Sequence, residues 1–112
     1  MNPKTSLRDT WRVYQNLFED HLESVNAAPA TIRAYRLAVE QLGTFLSEAG
    51  LPHDPRKVKR EHLSAWMLHL QRPPAEGGRG LAAQTALQRF QSVRQFFKFL
   101  EDAGDIKESP MI

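Results

Sequence analysis

The segment LAAQTALQRFQSVRQFFKFLEDAG, residues 81–104, carries the strongest helical pattern in the chain. At about 100° per residue, its apolar side chains collect on one side of a helix over about 82–103. A helix this apolar on one side must be covered by other helices, so the segment predicts a helical bundle. The residues on that side are Leu87, Phe90, Val93, Phe97 and Leu100, widened by Ala86 and Phe96.

The opposite side of this helix carries a row of four glutamines at i, i+4, i+7 and i+11. Glutamine is a good helix former, so a solvated face is the plainer interpretation of the row. The alternative is recognition of DNA, because an α-helix fits the major groove, where glutamine bonds adenine and arginine bonds guanine in bidentate fashion. The residues alone leave both open. The row is Gln84, Gln88, Gln91 and Gln95, flanked on one edge by Thr85, Arg89 and Ser92.

Three further helices are predicted before this one, at about 7–25, 29–49 and 60–71, because apolar residues recur there at three- and four-residue spacing. Ser6 and Asp9 form a capping-box-like start to the first helix. With no credible strand, the fold class is all-α. The predicted core positions are Leu7, Trp11, Tyr14, Phe18, Leu22 and Val25, then Ile32, Tyr35, Val39, Leu42, Phe45, Leu46 and Ala49, then Leu63, Trp66, Met67 and Leu70.

The second helix opens on Pro29 and ends at Gly50, which are residues typical of those positions. Gly43 in its interior costs about 1 kcal/mol relative to alanine, which is tolerable if another helix approaches closely there. Arg33 and Arg36 lie on its outward side.

Residues 31–50 and 85–104 match at seven of twenty positions with an offset of 54. The match suggests that both helices end in the same buried way. It also predicts that Phe99 packs inward, although its angle on the helix places it near the polar side.

Composition narrows the function classes. The chain has 112 residues, enough for one domain with a modest core, and no cysteine, which excludes disulfides and thiolate sites. No apolar run approaches the roughly 20 residues of a membrane span, and no signal peptide is recognisable, so we expect a cytoplasmic protein without membrane contact. A net charge of +2 leans mildly toward anionic partners. The most basic stretch, residues 51–60, is more often a solvated loop than a phosphate site.

No catalytic, metal or cofactor site is predicted. The four histidines have no ligand spacing, and no serine or threonine has the local signature of an activated nucleophile. The glycines of 77–80 follow a helix and lack the lysine and hydroxyl of a phosphate loop. The residues therefore favour a binding module over an enzyme, with Arg33, Arg36 and Arg89 available for phosphate contacts.

The order of motifs along the chain resembles that of a known protein family. T-x-x-x-Y and L-x-x-F-L-x-x-x-G precede a short helix, and T … R-x-F-F-x-F-L-x-x-x-G-x-I-x-x-x-P follows it. From about residue 7 onward this order resembles the N-terminal core-binding domain of tyrosine recombinases, the SAM-like domain of phage-type integrases. The residues that carry it are Thr31, Tyr35, Leu42, Phe45, Leu46 and Gly50, then Thr85, Arg94, Phe96, Phe97, Phe99, Leu100, Gly104, Ile106 and Pro110.

The resemblance implies a four-helix SAM-like bundle of orthogonal helix pairs over residues 1–112, forming half of a C-shaped clamp on double-stranded DNA. The second and fourth helices would cross the major groove of a recombination half-site, with other recombinase protomers as neighbours on DNA and a monomer in isolation. Thr31 would contact a phosphate, with Arg33 and Arg36 beside it. The DNA-facing positions of the fourth helix would be Gln84, Thr85, Gln88, Arg89 and Ser92.

Some positions depart from the family. Ala28 and Ala82 stand where relatives often have a capping serine or threonine, Lys59 stands in place of a threonine, and the flexible connection 71–81 is long. In the family the chemistry lies in a following domain, so we expect this chain to be a fragment that binds DNA without cutting it.

Two alternatives remain open. One is a helical protein–protein interaction module without DNA binding, with the first helix as a candidate for protomer contacts. The other, a helix-turn-helix repressor, is less favoured because the link before the fourth helix is too long and too rich in proline and glycine for the tight turn that this motif needs.

Overall fold

The computed structural model describes the backbone of residues 3–111 and the side chains of residues 10–111. Within that range the chain forms helices and turns and no strand, so the all-α prediction is confirmed. The bounds of the second, third and fourth helices lie within a residue of those predicted. The helices are α1 Pro3–Ser24, α2 Pro29–Glu48, α3 Arg60–Gln71 and α4 Ala83–Asp102, with 3-10 turns at Pro55–Lys57 and Pro74–Glu76.

The first helix differs most from its prediction. It begins at Pro3, so Ser6 is not its N-cap, and it ends before Val25, which is 58% exposed instead of core. The side chains of the predicted core residue Leu7 and of Ser6 and Asp9 lie outside the described residues.

The core is built around the contact of α2 with α4, the most extensive between any two helices described. α3 closes one side of this pair with Trp66 and Leu70, and α1 closes another with Trp11 and Phe18. Burial of these side chains supplies the main favourable contribution to folding. The fully buried residues of α2 and α4 are Ala38, Val39, Leu42 and Leu46, then Ala86, Val93, Phe96, Phe97 and Leu100.

Leu87 is the exception on α4. It was predicted to be core, yet it is 49% exposed. It lies about 100° around the helix from its neighbour Ala86, which is fully buried, so the covered arc is narrower than the apolar one. Phe90, at the margin of that arc, is half-buried.

The close approach expected at Gly43 comes from α1. A Cβ atom at this position would lie 2.6 Å from Nε1 of Trp11. Only a glycine leaves room for the indole, which also stacks on His53 at a ring-centroid distance of 5.4 Å. The missing side chain of Gly43 thus positions α1 against α2.

The ends of α2 and α4 have the same geometry, as the internal match suggested, but residues 47–50 and 102–104 are exposed and not buried. Gly50 and Gly104 follow the helices with left-handed φ values of 69° and 82°, which favour glycine. The N–H of Leu51 donates to the carbonyl of Leu46 at 2.9 Å, and the N–H of Asp105 donates to that of Leu100 at 2.9 Å. Both helices therefore end in the same Schellman-type turn.

The phenylalanines next to these turns also correspond. Phe45 and Phe99 are both half-buried against the core, as predicted for Phe99. Phe45 lies on the ring of His69 in α3, and Phe99 lies on the ring of His21 in α1, each with a centroid separation of 5.0 Å. Each phenylalanine thus joins its helix to the other half of the bundle.

The connection 71–81 is folded, whereas its composition suggested a flexible link. The N–H groups of Arg79, Gly80 and Leu81 donate to the carbonyls of His69, Arg72 and Leu70 at 3.0, 2.7 and 2.8 Å. A Cβ at Gly78 would lie 2.2 Å from the Arg72 carbonyl oxygen, so the loop closes tightly there. Glycine in this loop serves close packing.

Candidate nucleic-acid interface

The starts of α2 and α4 leave their first backbone N–H groups without a side-chain partner. Ala28 and Ala82 occupy the N-cap positions, as the sequence suggested, and neither helix has an acidic residue in its first turn. The N-terminal end of a helix is electropositive and attracts anions. Both helices therefore begin with a small anion-attracting surface, and Thr31, half-buried, lies in the first turn of α2.

Arg33 is the free cation of α2. Its side chain is exposed and has no hydrogen bond or ion pair with any residue of 10–111. Leu37 and Thr44 lie within about 40° of it around the helix, and both are exposed. We call these three residues the α2 ridge.

Arg36 lies on the α1 side of this ridge. Its Nε donates to the Glu19 carboxylate, and this hydrogen bond, with the charge of Glu19, raises the pKa of Arg36 above its ordinary value. One turn further along, Nε2 of Gln15 donates to Oε1 of Glu40 at 3.1 Å. Arg36 thus holds α1 on α2, which distinguishes it from Arg33.

On α4, the predicted DNA-facing residues form one edge of the helix, which we call the α4 edge: Gln84, Thr85, Gln88, Arg89 and Ser92. Gln84 and Gln88 are exposed, and their side-chain amides have no partner among residues 10–111. Thr85 is half-buried. Ser92 is only 9% exposed, and its Oγ donates to the carbonyl of Gln88 at 3.1 Å. The free polar groups of this edge are therefore the two glutamines.

Arg89 connects the α4 edge to α2. It is half-buried, and its Nη1 donates to Oε1 of Gln41. The contact holds the α4 edge beside the outward side of α2. Sequence reasoning did not select Gln41. The only signals for it were its polarity and its place two turns after Arg33.

The basic stretch before α3 is partly neutralised. Nη2 and Nε of Arg56 donate to the two carboxylate oxygens of Asp54 at 2.8 and 3.0 Å, and the backbone N–H of Arg56 donates to Oδ1 at 2.9 Å. Burial acts to raise the pKa of Asp54, but these hydrogen bonds outweigh it and leave the pKa below its ordinary value. Arg56 also lies over the ring of Tyr14, with 5.7 Å from Cζ to the ring centroid.

The remaining cations of that stretch, Lys57, Lys59 and Arg60, are exposed. At the start of α3, Nδ1 of His62 accepts a hydrogen bond from the backbone N–H of Lys59 at 2.9 Å. This histidine satisfies the backbone N–H of Lys59, the N-cap residue of α3.

Among the side chains that the structure describes, no group could bind a metal. Within residues 10–111, no three potential ligands among His, Cys, Asp and Glu lie together. Across the described part of the chain, no helix combines the length and apolarity that crossing a bilayer requires.

Comparison with known proteins places these helices in a family. Residues 16–104, which end at the second of the two equivalent glycines, match the family described as Phage integrase, N-terminal SAM-like domain. The tyrosine recombinase XerC of Chlorobaculum parvum is 31% identical over 100 residues, which are 84% of this chain and 28% of that protein. The tyrosine recombinase XerD of Caulobacter vibrioides is 34% identical over 84 residues, 75% of this chain and 25% of that protein.

The chain thus spans about a quarter of the length of the curated relatives it matches. No solved structure matches it at a significant level.

Proposed function

We propose that this chain, which belongs to the family of phage-integrase N-terminal SAM-like domains, binds duplex DNA as part of a site-specific tyrosine recombinase. The curated relatives that it matches carry that enzyme name. In this proposal the domain grips the major groove of a recombination half-site and does not itself cut or join strands, because it matches only the N-terminal SAM-like domain of the family.

The observation that carries the proposal is the bond between Arg89 and Gln41. It joins the α4 edge, which carries the free amides of Gln84 and Gln88, to α2, the helix that carries the free cation Arg33. Major-groove recognition needs this combination, because phosphate contacts fix the register while amides reach the base edges.

The chemistry of each side chain indicates which part of the DNA it would contact. Gln84 and Gln88 are the candidates for base contacts, because their amides are exposed and unbonded. Arg33 supplies a phosphate contact from the α2 ridge, and Thr31 and Thr85 supply hydroxyls in the first turns of their helices. Ser92 is the weakest of the proposed contacts, since its hydroxyl is already engaged.

Arg36 and Arg89 contribute differently from Arg33. Arg36 already donates a hydrogen bond to Glu19, and Arg89 already donates one to Gln41. A phosphate that either arginine binds must share or replace that partner. We therefore expect them to orient the surface and to add less to DNA affinity than Arg33 does.

A second candidate function is protein–protein contact through α1. Val13 and Leu17 lie one turn apart on this helix and are 52% and 46% exposed. Two exposed apolar side chains at this spacing suit contact with a neighbouring protomer on DNA, and in solution they are too few to hold a dimer of the usual interface size. We therefore propose a monomer that meets other protomers on its DNA site.

A titration with duplex DNA tests the proposal. Backbone amide shifts in the NMR spectrum are expected to cluster in residues 31–36 and 84–92. Affinity is expected to fall with salt, with a slope in log–log terms of about −0.9 for each phosphate contact. Shifts scattered over the bundle, or none, would contradict DNA binding. Concentration-dependent self-association without DNA-induced shifts would instead support the protein-interaction module.

A further inference from the structure

The loop 71–81 presents a second cationic group next to the proposed interface. Its backbone is held by hydrogen bonds to the last turn of α3, among them the N–H of Arg79 donating to the carbonyl of His69 at 3.0 Å and the N–H of Gly80 donating to that of Arg72 at 2.7 Å. The Cα of Arg79 is therefore fixed, and α4 begins four residues later at Ala83.

The side chain of Arg79 is exposed and has no hydrogen bond or ion pair within residues 10–111. It lines a shallow cavity of about 250 Å³ together with Leu37, Thr44 and Gln41 of α2. Gln41 is the residue that binds Arg89. Arg79 thus lies at the corner where the α2 ridge meets the α4 edge.

The other charges at this corner leave Arg79 available. Glu40 and Glu48 line the same cavity, but neither forms an ion pair with it. Oε1 of Glu40 accepts from Gln15, and Glu48 lies in the last turn of α2. The loop's other arginine, Arg72, lines a different cavity with Glu76 and Leu68. Only one of the two arginines therefore lies at the proposed interface.

We propose that Arg79 contacts a phosphate of the DNA backbone beside the groove that α4 enters, and that the folded loop holds it there before DNA arrives. This inference rests on the proposed function and adds to it a residue outside the helices. An exposed arginine on a fixed backbone loses less conformational freedom on binding than one on a flexible linker, and its guanidinium matches phosphate geometry.

Fluorescence anisotropy with a short mixed-sequence duplex tests the contact. The control is Arg94→Ala, which removes an equal charge from α4 outside the α4 edge. Arg94 lies over the ring of Phe90. Loss of one phosphate contact makes the log–log slope of affinity against salt less negative by about 0.9. The affinity loss is therefore about 3.5-fold larger at about 50 mM than at about 200 mM salt. We expect this change for Arg79→Ala, a smaller one for Arg94→Ala, and a retained slope for Arg79→Lys.

Equal slopes for Arg79→Ala and Arg94→Ala would overturn the contact, because they would indicate only a general effect of net charge. A wild-type domain that binds no duplex at all would overturn the proposed function. The two failures are therefore distinguishable. Thermal unfolding is expected to be unchanged in Arg79→Ala, since the side chain has no partner to lose.

Gly78→Ala tests the preorganisation. Its Cβ would meet the Arg72 carbonyl at 2.2 Å and force the loop open. In that background, Arg79→Ala is expected to change the salt slope by less than it does in the wild-type loop. A full change of about 0.9 would show that a displaced loop serves equally well, and would overturn the claim that the fold positions Arg79.

Discussion

The α1–α2 pair and the α3–α4 pair share one plan and differ in their polar groups. In both pairs the first helix carries a histidine in its last turn, and the second ends in a Schellman-type turn closed by glycine. Each second helix also places a phenylalanine on the histidine of the other pair, at 5.0 Å. The two halves thus share their helix ends and this aromatic contact.

The polar contacts of the two pairs differ. Arg36–Glu19 and Gln15–Glu40 connect α1 to α2, whereas no side-chain hydrogen bond joins α3 to α4 within residues 10–111. Gln84 and Gln88 of α4 remain unbonded. Polar side chains thus join the two helices of the first half, whereas none joins the two helices of the second half among residues 10–111.

The largest expected effect tests the shared plan. Leu46 and Leu100 occupy equivalent positions, and both are completely buried. Leu46→Ala and Leu100→Ala should each lower the free energy of unfolding by about 2–5 kcal/mol through lost burial and a residual cavity. Urea denaturation followed by circular dichroism measures both. A large loss for one variant and almost none for the other would break the correspondence of the two halves.

Gly43→Ala tests the contact that belongs to the first half alone. On an open helix the change would stabilise by about 1 kcal/mol. Here the new Cβ would lie 2.6 Å from the buried Trp11 ring, so we expect a net destabilisation of about 1–3 kcal/mol. Thr44→Ala, at the exposed neighbouring position, is the control. If Gly43→Ala stabilised the protein instead, the Trp11 ring would have to lie farther from residue 43 than the structure shows.

The glutamines of the second half provide a functional test. Gln88→Ala is expected to reduce the preference for a cognate site over other sequences by about 1–3 kcal/mol, the usual worth of one bidentate base contact. Arg33→Ala is the matched change on α2 and should weaken binding to all sequences alike. Competition binding with cognate and scrambled duplexes separates the two. Equal losses on both duplexes for Gln88→Ala would leave it a backbone contact only.

Arg36→Ala sharpens the contrast between bonded and free arginines. It removes the α1–α2 ion pair, so a fall in melting temperature is expected, with a smaller loss of DNA affinity than Arg33→Ala gives. Arg33→Ala should leave the melting temperature unchanged, because Arg33 has no partner within residues 10–111. The reverse ranking in either measurement would remove the distinction drawn between them.

The smallest expected effect concerns Asp54. Its pKa is lowered in the folded state by Arg56, so the unfolded chain binds its proton more readily. The resulting stability is present above the ordinary aspartate pKa of about 3.9 and is lost as the pH falls through the lower folded value. Asp54→Asn should therefore melt earlier than wild type at neutral pH. A difference that persists undiminished in strong acid would exclude the charge as its cause.

Much of the fold could be predicted from the sequence because helix boundaries and apolar faces are local. The start of α3, the glycine ends of α2 and α4 and the inward turn of Phe99 all followed from spacing or from the internal match. The family assignment also followed from motif order and is confirmed by the match over residues 16–104.

What sequence reasoning missed depends on how helices are rotated and placed relative to each other. Periodicity fixes an apolar arc to within a residue or two, which is too coarse to predict that Leu87 lies outside it or that Arg36 meets Glu19. The hydrogen bond of Arg89 to Gln41 joins residues that are 48 positions apart, and no local sequence pattern predicts it. The closed loop 71–81 depends on backbone hydrogen bonds that composition does not encode.

The alanine starts of α2 and α4 also connect folding to binding. With Ala28 and Ala82 in the cap positions, the first amides of these helices have no side-chain acceptor, and uncapped helix ends fray more readily than capped ones. A phosphate oxygen held at either start becomes the cap that the chain lacks. If α2 and α4 bind DNA as proposed, hydrogen exchange of their first-turn amides should slow on binding, because the ligand then completes both helix starts.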